Sequence, residues 1–385
     1  MERLYVARPL LPELSDLAEL LKGVWASRQV TNEGPLHNQL EAALGRHLDV
    51  PVAKLACNGT AALQCALLSL DLPAGAEVIT TPLTFAATAH AVTACGMKPV
   101  FADVDETTLT LDPAAVALAI TDRTAAVIGV HVYGTLCDHR ALQQLCDERG
   151  LILIFDAAHA FGARDGETSA AAMGEMSVFS LHATKLYNTV EGGLITARDP
   201  KWAQRLRLAR NFGIESEEAV PLVGINGKMS ELNAAVGLLN LEIMGAELAA
   251  RSNLRARYDA IVDAIPGLRT QVRQPGVVQS EQYYMIVVDP QVYGASRDVI
   301  YDGLKAHGIF SRRYFWPICT DFGSYHGAPI ATPHEVSVAE RVKDRVLCLP
   351  FHSGVQPHHV STIAEVLTEI ANLGTAPMAA GAAYE

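Results

Sequence analysis

Short apolar runs alternate with amphipathic segments along the N-terminal half of the chain. Apolar runs of this length predict strands buried in a sheet, and they lie at residues 77–82, 98–105, 124–131, 151–156, 178–180 and 194–196. Hydrophobic residues at helical spacing predict helices at residues 11–26, 36–47, 60–70, 112–120, 138–149 and 201–210. Because strands alternate with helices and no hairpin turn separates them, the sequence predicts an α/β fold with a doubly wound, mostly parallel sheet.

The pattern changes after a long helix that is predicted from residue 231 to about residue 258. Beyond it, apolar runs at 283–288 and 310–315 flank a helical segment near 297–307, which is typical of a second, smaller α/β unit. A chain of 385 residues also exceeds the usual size of a single core. We predict a large domain at residues 1–250 with an N-terminal helical segment, a small C-terminal α/β domain at 251–373, and a disordered Ala/Gly-rich tail at 374–385.

A carboxylate and an amine lie at the ends of two predicted strands. Asp156 ends one apolar run, and Lys185 follows the run that contains Ser180. Ligands of doubly wound sheets gather at the carboxyl ends of the strands. Pyridoxal 5′-phosphate (PLP) needs a lysine that forms a Schiff base with its aldehyde and a carboxylate that keeps its ring nitrogen protonated. A lone lysine is usually a solvated charge and a lone Asp often caps a helix, but the combination predicts a PLP site.

A third element of this predicted site precedes the helix at 60–70. Asn58, Gly59 and Thr60 lie where that helix begins. Free backbone N–H groups and the helix dipole make such a terminus a binding site for phosphate. The alternative is an ordinary N-cap threonine. Phe85, after the strand at 77–82, falls at the same edge of the sheet.

Composition narrows the function further. The net charge of −12 argues against nucleic-acid or anionic-membrane partners. Seven scattered cysteines without a CxxC pair predict buried thiols in a reducing cytoplasm and no metal site. With neither a signal segment nor an uninterrupted apolar run long enough to span a membrane, we expect a soluble cytoplasmic protein. A nicotinamide oxidoreductase is disfavoured because no GxGxxG follows a strand.

Seven motifs, taken in order, resemble the signatures of the DegT/DnrJ/EryC1/StrS nucleotide-sugar aminotransferases. They lie at residues 57–63, 84–88, 131–134, 155–162, 179–185, 191–193 and 226–232. The resemblance covers nearly the whole chain, and it implies the fold-type I, aspartate aminotransferase-like architecture of PLP-dependent transferases. One branch of this family carries His in place of the lysine and performs dehydration, so Lys185 groups this chain with the aminotransferases.

The resemblance implies a role for individual residues around the cofactor. Lys185 would bind the PLP aldehyde and move a proton during catalysis, and Asp156 would pair with the ring nitrogen. His159, where many members have Gln, would donate a hydrogen bond to the phenolic oxygen. The remaining contacts would come from Phe85 against the ring face and, at the phosphate, from Gly59, Thr60, Ala61 and Ser180.

The resemblance also implies a homodimer with its active sites at the subunit interface. In this family the loop that bears Asn226 reaches the cofactor phosphate of the partner subunit. The implied substrates are a nucleotide-diphospho keto-sugar and L-glutamate as amino donor. The residues of these motifs are most similar to those of members that aminate C4 of dTDP-4-keto-6-deoxyglucose. Amination at C3, another nucleotide keto-sugar, or a PLP-binding regulator without turnover remain alternatives.

Recognition of the sugar diphosphate requires cations and aromatic platforms. The candidate cations are Lys228, Arg312 and Arg313, and the candidate platforms are Tyr314, Phe315 and Trp316. His182 and Tyr187 flank the lysine and are further candidates for substrate contact. Packing beside the cofactor is the alternative for both.

Overall fold

The computed structural model describes residues 3–325 and 336–375. The helices in these ranges are α1 Leu14–Ser27, α2 Pro35–Leu48, α3 Gly59–Ser69, α4 Ala86–Ala94, α5 Pro113–Ala119, α6 His139–Arg149, α7 Trp202–Ala209, α8 Glu231–Val262, α9 Pro290–Tyr293, α10 Arg297–Ala306, α11 Ser337–Lys343 and α12 Pro357–Thr375. Short 3-10 helices lie at Val132–Gly134, Ala170–Ala172 and Cys319–Asp321.

The strands of the described chain fall into one large sheet and several small ones. They are β1 Leu4–Tyr5, β2 Val52–Ala56, β3 Glu77–Thr80, β4 Lys98–Phe101, β5 Thr124–Val130, β6 Ile152–Asp156, β7 Arg164–Asp165, β8 Thr168–Ser169, β9 Met176–Ser180, β10 Gly193–Ala197, β11 Leu268–Thr270, β12 Val277–Val278, β13 Tyr284–Val288, β14 Ile309–Phe310 and β15 Val346–Leu349.

The large sheet has seven strands in the order β2-β10-β9-β6-β5-β3-β4. The pairs from β9 through β4 are parallel, and β10 runs antiparallel to both of its neighbours. Both faces are covered, because successive residues of β5 point into different cores: Val127 packs with α2, α6 and α8, whereas Ala126 and Ile128 pack with α3, α4 and α7. The predicted doubly wound, mostly parallel sheet is confirmed, with the addition of one antiparallel strand.

A second unit is built on a small antiparallel sheet in which β13 lies between β11 and β15. Helix α8 joins it to the first unit. Met244 packs in the core of the large sheet, whereas Leu254, Tyr258 and Val262 pack in the core of the small one. The change of core therefore falls within one unbroken helix, and the division at residue 250 remains a prediction.

The N-terminal strand departs from the predicted division. Leu4 and Tyr5 pair in parallel with Ile309 and Phe310, and Leu4 packs in the core of the second unit. A strand of two residues gives too little pattern to be recognised in a sequence. The predicted tail at 374–385 lies almost entirely outside the described residues, and α12 extends to Thr375.

Helix α8 is long and apolar enough to cross a membrane by length and composition alone, with a mean hydropathy of 1.2 over its most apolar window. It also buries Glu231, Asn240, Glu247 and Arg251. Each of these side chains has a partner inside the fold; the Glu231 carboxylate, for example, accepts hydrogen bonds from the amides of Leu36 and His37 at the start of α2. These contacts identify α8 as a core helix of this fold.

Candidate active site

A cavity of about 580 Å³ opens at the carboxyl ends of the parallel strands. Its walls come from the segments after β3, β6 and β9, from the start of α3, and from the second unit at Tyr283 and Arg312. This is the edge at which doubly wound sheets bind their ligands. Lys185, Asp156, Thr60, Phe85 and the other lining residues described below therefore come from distant parts of the sequence.

Lys185 lies in the turn that follows β9, where its amide donates to the carbonyl of His182. Its Nζ lies 5.6 Å from the ring centroid of Tyr283. Burial lowers the pKa of Lys185 to about 8, although the negative charge of Asp156 opposes the shift. An amine with such a pKa is partly unprotonated near neutral pH, and it is therefore available as a nucleophile.

Gln282 holds the backbone on both sides of the lysine. Its Oε1 accepts a hydrogen bond of 2.7 Å from the amide of Leu186, and its Nε2 donates to the carbonyl of Thr184. Because Gln282 is nearly a hundred residues away in the sequence, no local pattern marks this contact.

Asp156 ends β6 and is buried at the floor of the cavity. Its Oδ2 accepts a hydrogen bond of 2.7 Å from the hydroxyl of Thr88, and its Oδ1 accepts one of 3.1 Å from the amide of Ala158. Burial raises the pKa of Asp156, while these two hydrogen bonds and the charge of Lys185 oppose the rise. A cationic group bound here would favour the charged carboxylate.

The start of α3 meets the end of β9 on one side of the cavity. Gly59 and Thr60 line it together with Ser180. The approach is close at Gly59, since a Cβ there would lie 3.0 Å from the Cβ of Ser180, which would have to move. Within the described ranges the amides of Gly59 and Thr60 have no protein acceptor. Free N–H groups at a helix N-terminus bind anions.

Ala61 differs from the prediction. Its amide donates a hydrogen bond of 2.8 Å to Oδ1 of Asn58, the N-cap residue of α3. Its side chain is buried in the fold and does not line the cavity. The amides left free at this helix start are therefore those of Gly59 and Thr60, because the N-cap already uses the amide of Ala61.

Phe85 and His159 lie on the cavity wall, as the resemblance implied. Phe85 precedes α4 and remains 59% exposed although it is a large apolar residue. An exposed aromatic ring facing a cavity is suited to stack on a flat ligand. His159 is buried, and its Nδ1 accepts a hydrogen bond from the amide of Tyr133. Burial, together with the charge of Lys185, holds the pKa of His159 well below its usual range.

Asn226 and Lys228 are not brought to the cavity of their own subunit. The two side chains contact each other, with 2.8 Å between Lys228 Nζ and Asn226 Oδ1. The loop that carries them is fixed beside the start of α3, because the amide of Cys57 donates to the carbonyl of Gly227. Asn226 is exposed and Lys228 is half-buried, and both lie beside the start of α3.

The remaining candidates for substrate contact divide into two groups. His182 and Tyr314 line the cavity. Tyr187 is fully buried, its ring stacks on Phe161, and its hydroxyl donates to the carbonyl of Gly237, so it does not line the cavity. Arg313 does not line this cavity.

The neighbouring arginines of the segment after β14 have different surroundings. Arg313 is bound to Asp298 at 3.0 Å and lies over the rings of Tyr301 and Trp316. Arg312 lines the cavity, and no carboxylate of the described residues lies within 4.0 Å of its guanidinium. Its backbone forms a bridge with Cys348 in β15, which fixes its position. Arg312 is thus the unpaired cation of this pair.

The lining residues fit PLP. The partly unprotonated amine of Lys185 suits an aldehyde, the buried carboxylate of Asp156 suits a protonated pyridine nitrogen, and the start of α3 suits a phosphate. No group of three or more potential metal ligands occurs among the described residues.

Comparison with known proteins gives the same result. The model of the DegT/DnrJ/EryC1/StrS aminotransferase family matches residues 13–368. A dTDP-4-amino-4,6-dideoxy-D-glucose transaminase from Shigella dysenteriae is 39% identical over 94% of this chain and 99% of the relative. The transaminase of the same name from Escherichia coli is 35% identical over 94% of this chain and 97% of the relative.

Solved structures agree with these relatives. The crystal structure of DesI in the presence of its TDP-sugar product superposes with a TM-score of 0.91 at 36% identity, and it covers 97% of this chain and 94% of DesI. The fold is thus the fold-type I architecture that the resemblance implied. This chain belongs to the DegT/DnrJ/EryC1/StrS aminotransferase family and is a PLP-dependent sugar aminotransferase.

Proposed function

We propose that this chain transfers the amino group of L-glutamate to C4 of dTDP-4-keto-6-deoxy-D-glucose and forms dTDP-4-amino-4,6-dideoxy-D-glucose. The observation that carries the proposal is the end-to-end match, at 39% identity, to a transaminase named for that amino sugar. The TDP-sugar product in the DesI structure supports the same nucleotide. We further propose that the enzyme acts in the cytoplasm, as expected for a biosynthetic enzyme of this class.

In the proposed assignment, Lys185 and Asp156 are the catalytic residues. PLP, once bound, supplies an electron sink for the substrate carbon that gains or loses the amino group. Lys185 holds the cofactor between turnovers and, when released, carries the proton to and from that carbon with its amine. Asp156 accepts the hydrogen bond of the ring nitrogen. Its pre-existing bonds to Thr88 and the amide of Ala158 fix its orientation before the cofactor arrives.

The proposed cofactor contacts follow the walls of the cavity. Gly59, Thr60 and Ser180 bind the phosphate at the start of α3. Phe85 stacks on one face of the ring, and His159 donates to the phenolic oxygen. For the sugar substrate, we assign the anion contact within the subunit to Arg312, because it lines the cavity and has no carboxylate partner among the described residues, with His182 and Tyr314 beside it.

We propose a homodimer in which Asn226 and Lys228 complete the site of the partner subunit. Both lie outside the cavity of their own chain. Three apolar side chains are exposed on the segment that precedes them, since Phe212, Val220 and Val223 are 47%, 61% and 75% exposed. Apolar patches of this kind mark protein–protein interfaces. A second copy covering this surface would bring a cation and an amide toward the anion site.

A panel of keto-sugars tests the substrate. Purified protein with PLP and glutamate would be offered dTDP-4-keto-6-deoxyglucose, its 3-keto isomer, and the GDP and UDP forms of the 4-keto sugar, with release of 2-oxoglutarate as the signal. The proposal predicts the highest kcat/KM for the dTDP 4-keto sugar. Preference for the 3-keto isomer or for another nucleotide would contradict it. If none of the sugars is aminated while glutamate alone still changes the cofactor spectrum, the choice of keto-sugar is wrong and the aminotransferase assignment remains.

A further inference from the structure

Two buried histidines lie near the carboxyl ends of neighbouring strands, and each accepts a hydrogen bond from a backbone amide. Nδ1 of His131 accepts from the amide of Cys137 at 3.1 Å, and Nδ1 of His159 accepts from the amide of Tyr133 at 3.3 Å. A backbone N–H only donates, so Nδ1 carries no proton in either ring. The proton of each neutral imidazole is therefore on Nε2.

The two rings differ in what Nε2 meets. Nε2 of His131 is enclosed and has no hydrogen-bond partner, and its ring stacks on Phe155. His159 instead lines the cavity, and Nε2 is not enclosed by protein. No group in the described parts of the chain hydrogen-bonds to it. An N–H donor without a protein acceptor thus borders the cavity.

We propose that the amide of Tyr133 fixes His159 as the neutral Nε2–H tautomer, which makes His159 an uncharged hydrogen-bond donor to an anionic oxygen of the bound cofactor. Tyr133 and Gly134 are positioning residues in this arrangement. The inference rests on the cofactor contact that the proposed function assigns to His159. It adds the protonation state of the ring and the residues that determine it.

The backbone at Tyr133 is shaped for this contact. Tyr133 has a φ of 55° and Gly134 a φ of 92°, the left-handed region that a non-glycine residue rarely adopts. Three contacts stabilise the turn besides the bond to His159: Gln271 donates to the Tyr133 carbonyl at 2.7 Å, the Tyr133 hydroxyl donates to the carbonyl of Tyr314 at 2.5 Å, and the ring of Tyr133 stacks on Phe315.

Gly134 permits the close approach of this turn to His159. A Cβ at this position would lie 3.0 Å from the carbonyl oxygens of both His159 and Ser280. A side chain here would therefore push the turn away from the residue that it orients. The motif at residues 131–134 therefore has a structural role, which is to position His159.

Two aromatic rings fix the plane of His159. Phe315 stacks parallel to it, with centroids 5.6 Å apart and planes 10° apart, and Tyr283 meets its edge at 5.0 Å. With one nitrogen held by Tyr133 and the plane held by these rings, Nε2–H has a single direction. Phe315 and Tyr283 both belong to the second unit, so this direction depends on both units.

The charges around His159 keep it neutral. The titratable groups on the elements packed against it are Lys185 and His182 of the turn after β9, Asp156, Arg312, and the phenols of Tyr133, Tyr283 and Tyr314. Burial and the positive charge of Lys185 both hold the pKa of His159 well below its ordinary value. A second proton would also have to displace the Tyr133 amide from Nδ1. The donor therefore stays uncharged through the working pH range.

Nitrogen NMR of the cofactor-free protein tests the tautomer directly. Full-length chain labelled with ¹⁵N at the histidine rings gives separate shifts for the two nitrogens, and the His159→Gln variant identifies the His159 signals by their loss. We expect an unprotonated Nδ1 and a protonated Nε2 that do not change between about pH 6 and pH 9, because an unperturbed histidine titrates near 6.5. A proton on Nδ1, or titration within this range, would overturn the proposal.

A pH titration of the visible absorbance band of PLP-loaded enzyme tests the donor. A hydrogen bond to the cofactor oxygen stabilises the deprotonated form of the bound cofactor. It therefore lowers the pKa that is measured from the change of the band with pH. His159→Leu should therefore raise that pKa by about one to two units, since a hydrogen bond to a charged group contributes about 1.5–3 kcal/mol. His159→Gln should leave it nearly unchanged, because an amide can accept from Tyr133 and donate into the cavity. Equal pKa values in the wild type and His159→Leu would overturn the proposal.

Matched glycine variants test the role of the turn. Gly134→Ala should raise the band pKa in the same direction as His159→Leu. Gly75→Ala, at a φ of 76° with no atom within 4 Å of the new Cβ, has the same backbone strain without the contact and should leave the band unchanged. An equal effect of the two glycine variants would contradict the role of the turn. Failure of the wild type to form a visible band would instead contradict the proposed function, and the NMR signals would still decide the tautomer.

Discussion

The hydroxyl of Thr88 donates a hydrogen bond of 2.7 Å to Oδ2 of Asp156. Thr88 lies within α4, and its hydroxyl also contacts that of Thr84 at 2.8 Å. With the amide of Ala158 on Oδ1, both carboxylate oxygens have a donor. Asp156 is therefore oriented by the protein itself, before a ring nitrogen pairs with it.

Replacing Thr88 by Val should weaken cofactor binding. The side chain keeps its shape but loses the donor that opposes the burial of Asp156, so the pKa of Asp156 rises and less of it is charged. A hydrogen bond to a charged group contributes about 1.5–3 kcal/mol, so we expect PLP affinity to fall about tenfold to a hundredfold. Fluorescence titration of cofactor-free protein measures this. Thr88→Ser retains the hydroxyl and is the control; equal losses in both variants would contradict the role of the hydrogen bond.

The pKa of Lys185 predicts how the rate of cofactor attachment depends on pH. Burial lowers that pKa to about 8, and only the neutral amine attacks an aldehyde. The rate should therefore rise about tenfold per pH unit below this value and level off above it, whereas an ordinary lysine would level off near pH 10.4. Stopped-flow absorbance measures the rate.

Asp156→Asn tests the direction in which the charge of Asp156 shifts the pKa of Lys185. The Asp156 carboxylate raises the pKa of Lys185 against burial. Removing its charge should lower the pKa further, so the plateau should begin at a lower pH. A shift to higher pH would contradict the electrostatic account of the site.

Much of the cofactor site was predictable because its residues end strands of strong apolar pattern. Asp156 and Lys185 follow buried runs, and parallel strands bring their carboxyl ends to one edge. The contacts that orient these residues were not predictable. Thr88 is one polar residue within a helix, and Gln282 joins the site from the second unit, so neither has a local signal.

The substrate side of the site was predicted less well for physical reasons. The sequence does not distinguish Arg312 from Arg313, and only the folded chain shows that one lines the cavity while the other pairs with Asp298. Tyr187 follows Lys185 closely in the sequence, yet its hydroxyl donates a hydrogen bond to the carbonyl of Gly237. Ala61 was expected at the phosphate, but the cap formed by Asn58 occupies its amide.

Substitutions of the neighbouring residues Arg312 and Arg313 form a matched pair of variants that tests substrate recognition. Arg312→Gln should raise KM for the nucleotide sugar about tenfold to a hundredfold, because a charge-assisted hydrogen bond contributes about 1.5–3 kcal/mol. Arg313→Gln should leave KM nearly unchanged, since Arg313 does not line the cavity and is paired with Asp298. Steady-state kinetics with both variants measures the difference. A larger effect at Arg313 would show that the sugar lies outside the cavity described above.

Mixed dimers test whether Asn226 acts across the interface. Neither Lys185→Ala nor Asn226→Ala homodimers contain an intact site, whereas a mixed dimer has one site with Lys185 from one subunit and Asn226 from the other. Random mixing should therefore restore about a quarter of wild-type activity, because half of the dimers are mixed and each has one intact site of two. No recovery after verified subunit exchange would mean that Asn226 acts within its own chain, and full activity of the Asn226→Ala homodimer would mean that Asn226 does not act at the site.

The most direct test of the central claim follows the nitrogen atom itself. The enzyme would be incubated with PLP, ¹⁵N-glutamate and dTDP-4-keto-6-deoxyglucose, and the sugar product analysed by NMR and mass spectrometry, with Lys185→Ala in parallel. We expect ¹⁵N bonded to C4, one 2-oxoglutarate for each amino sugar, and no product with the variant. Nitrogen at C3 of the sugar, or product formed without Lys185, would contradict it.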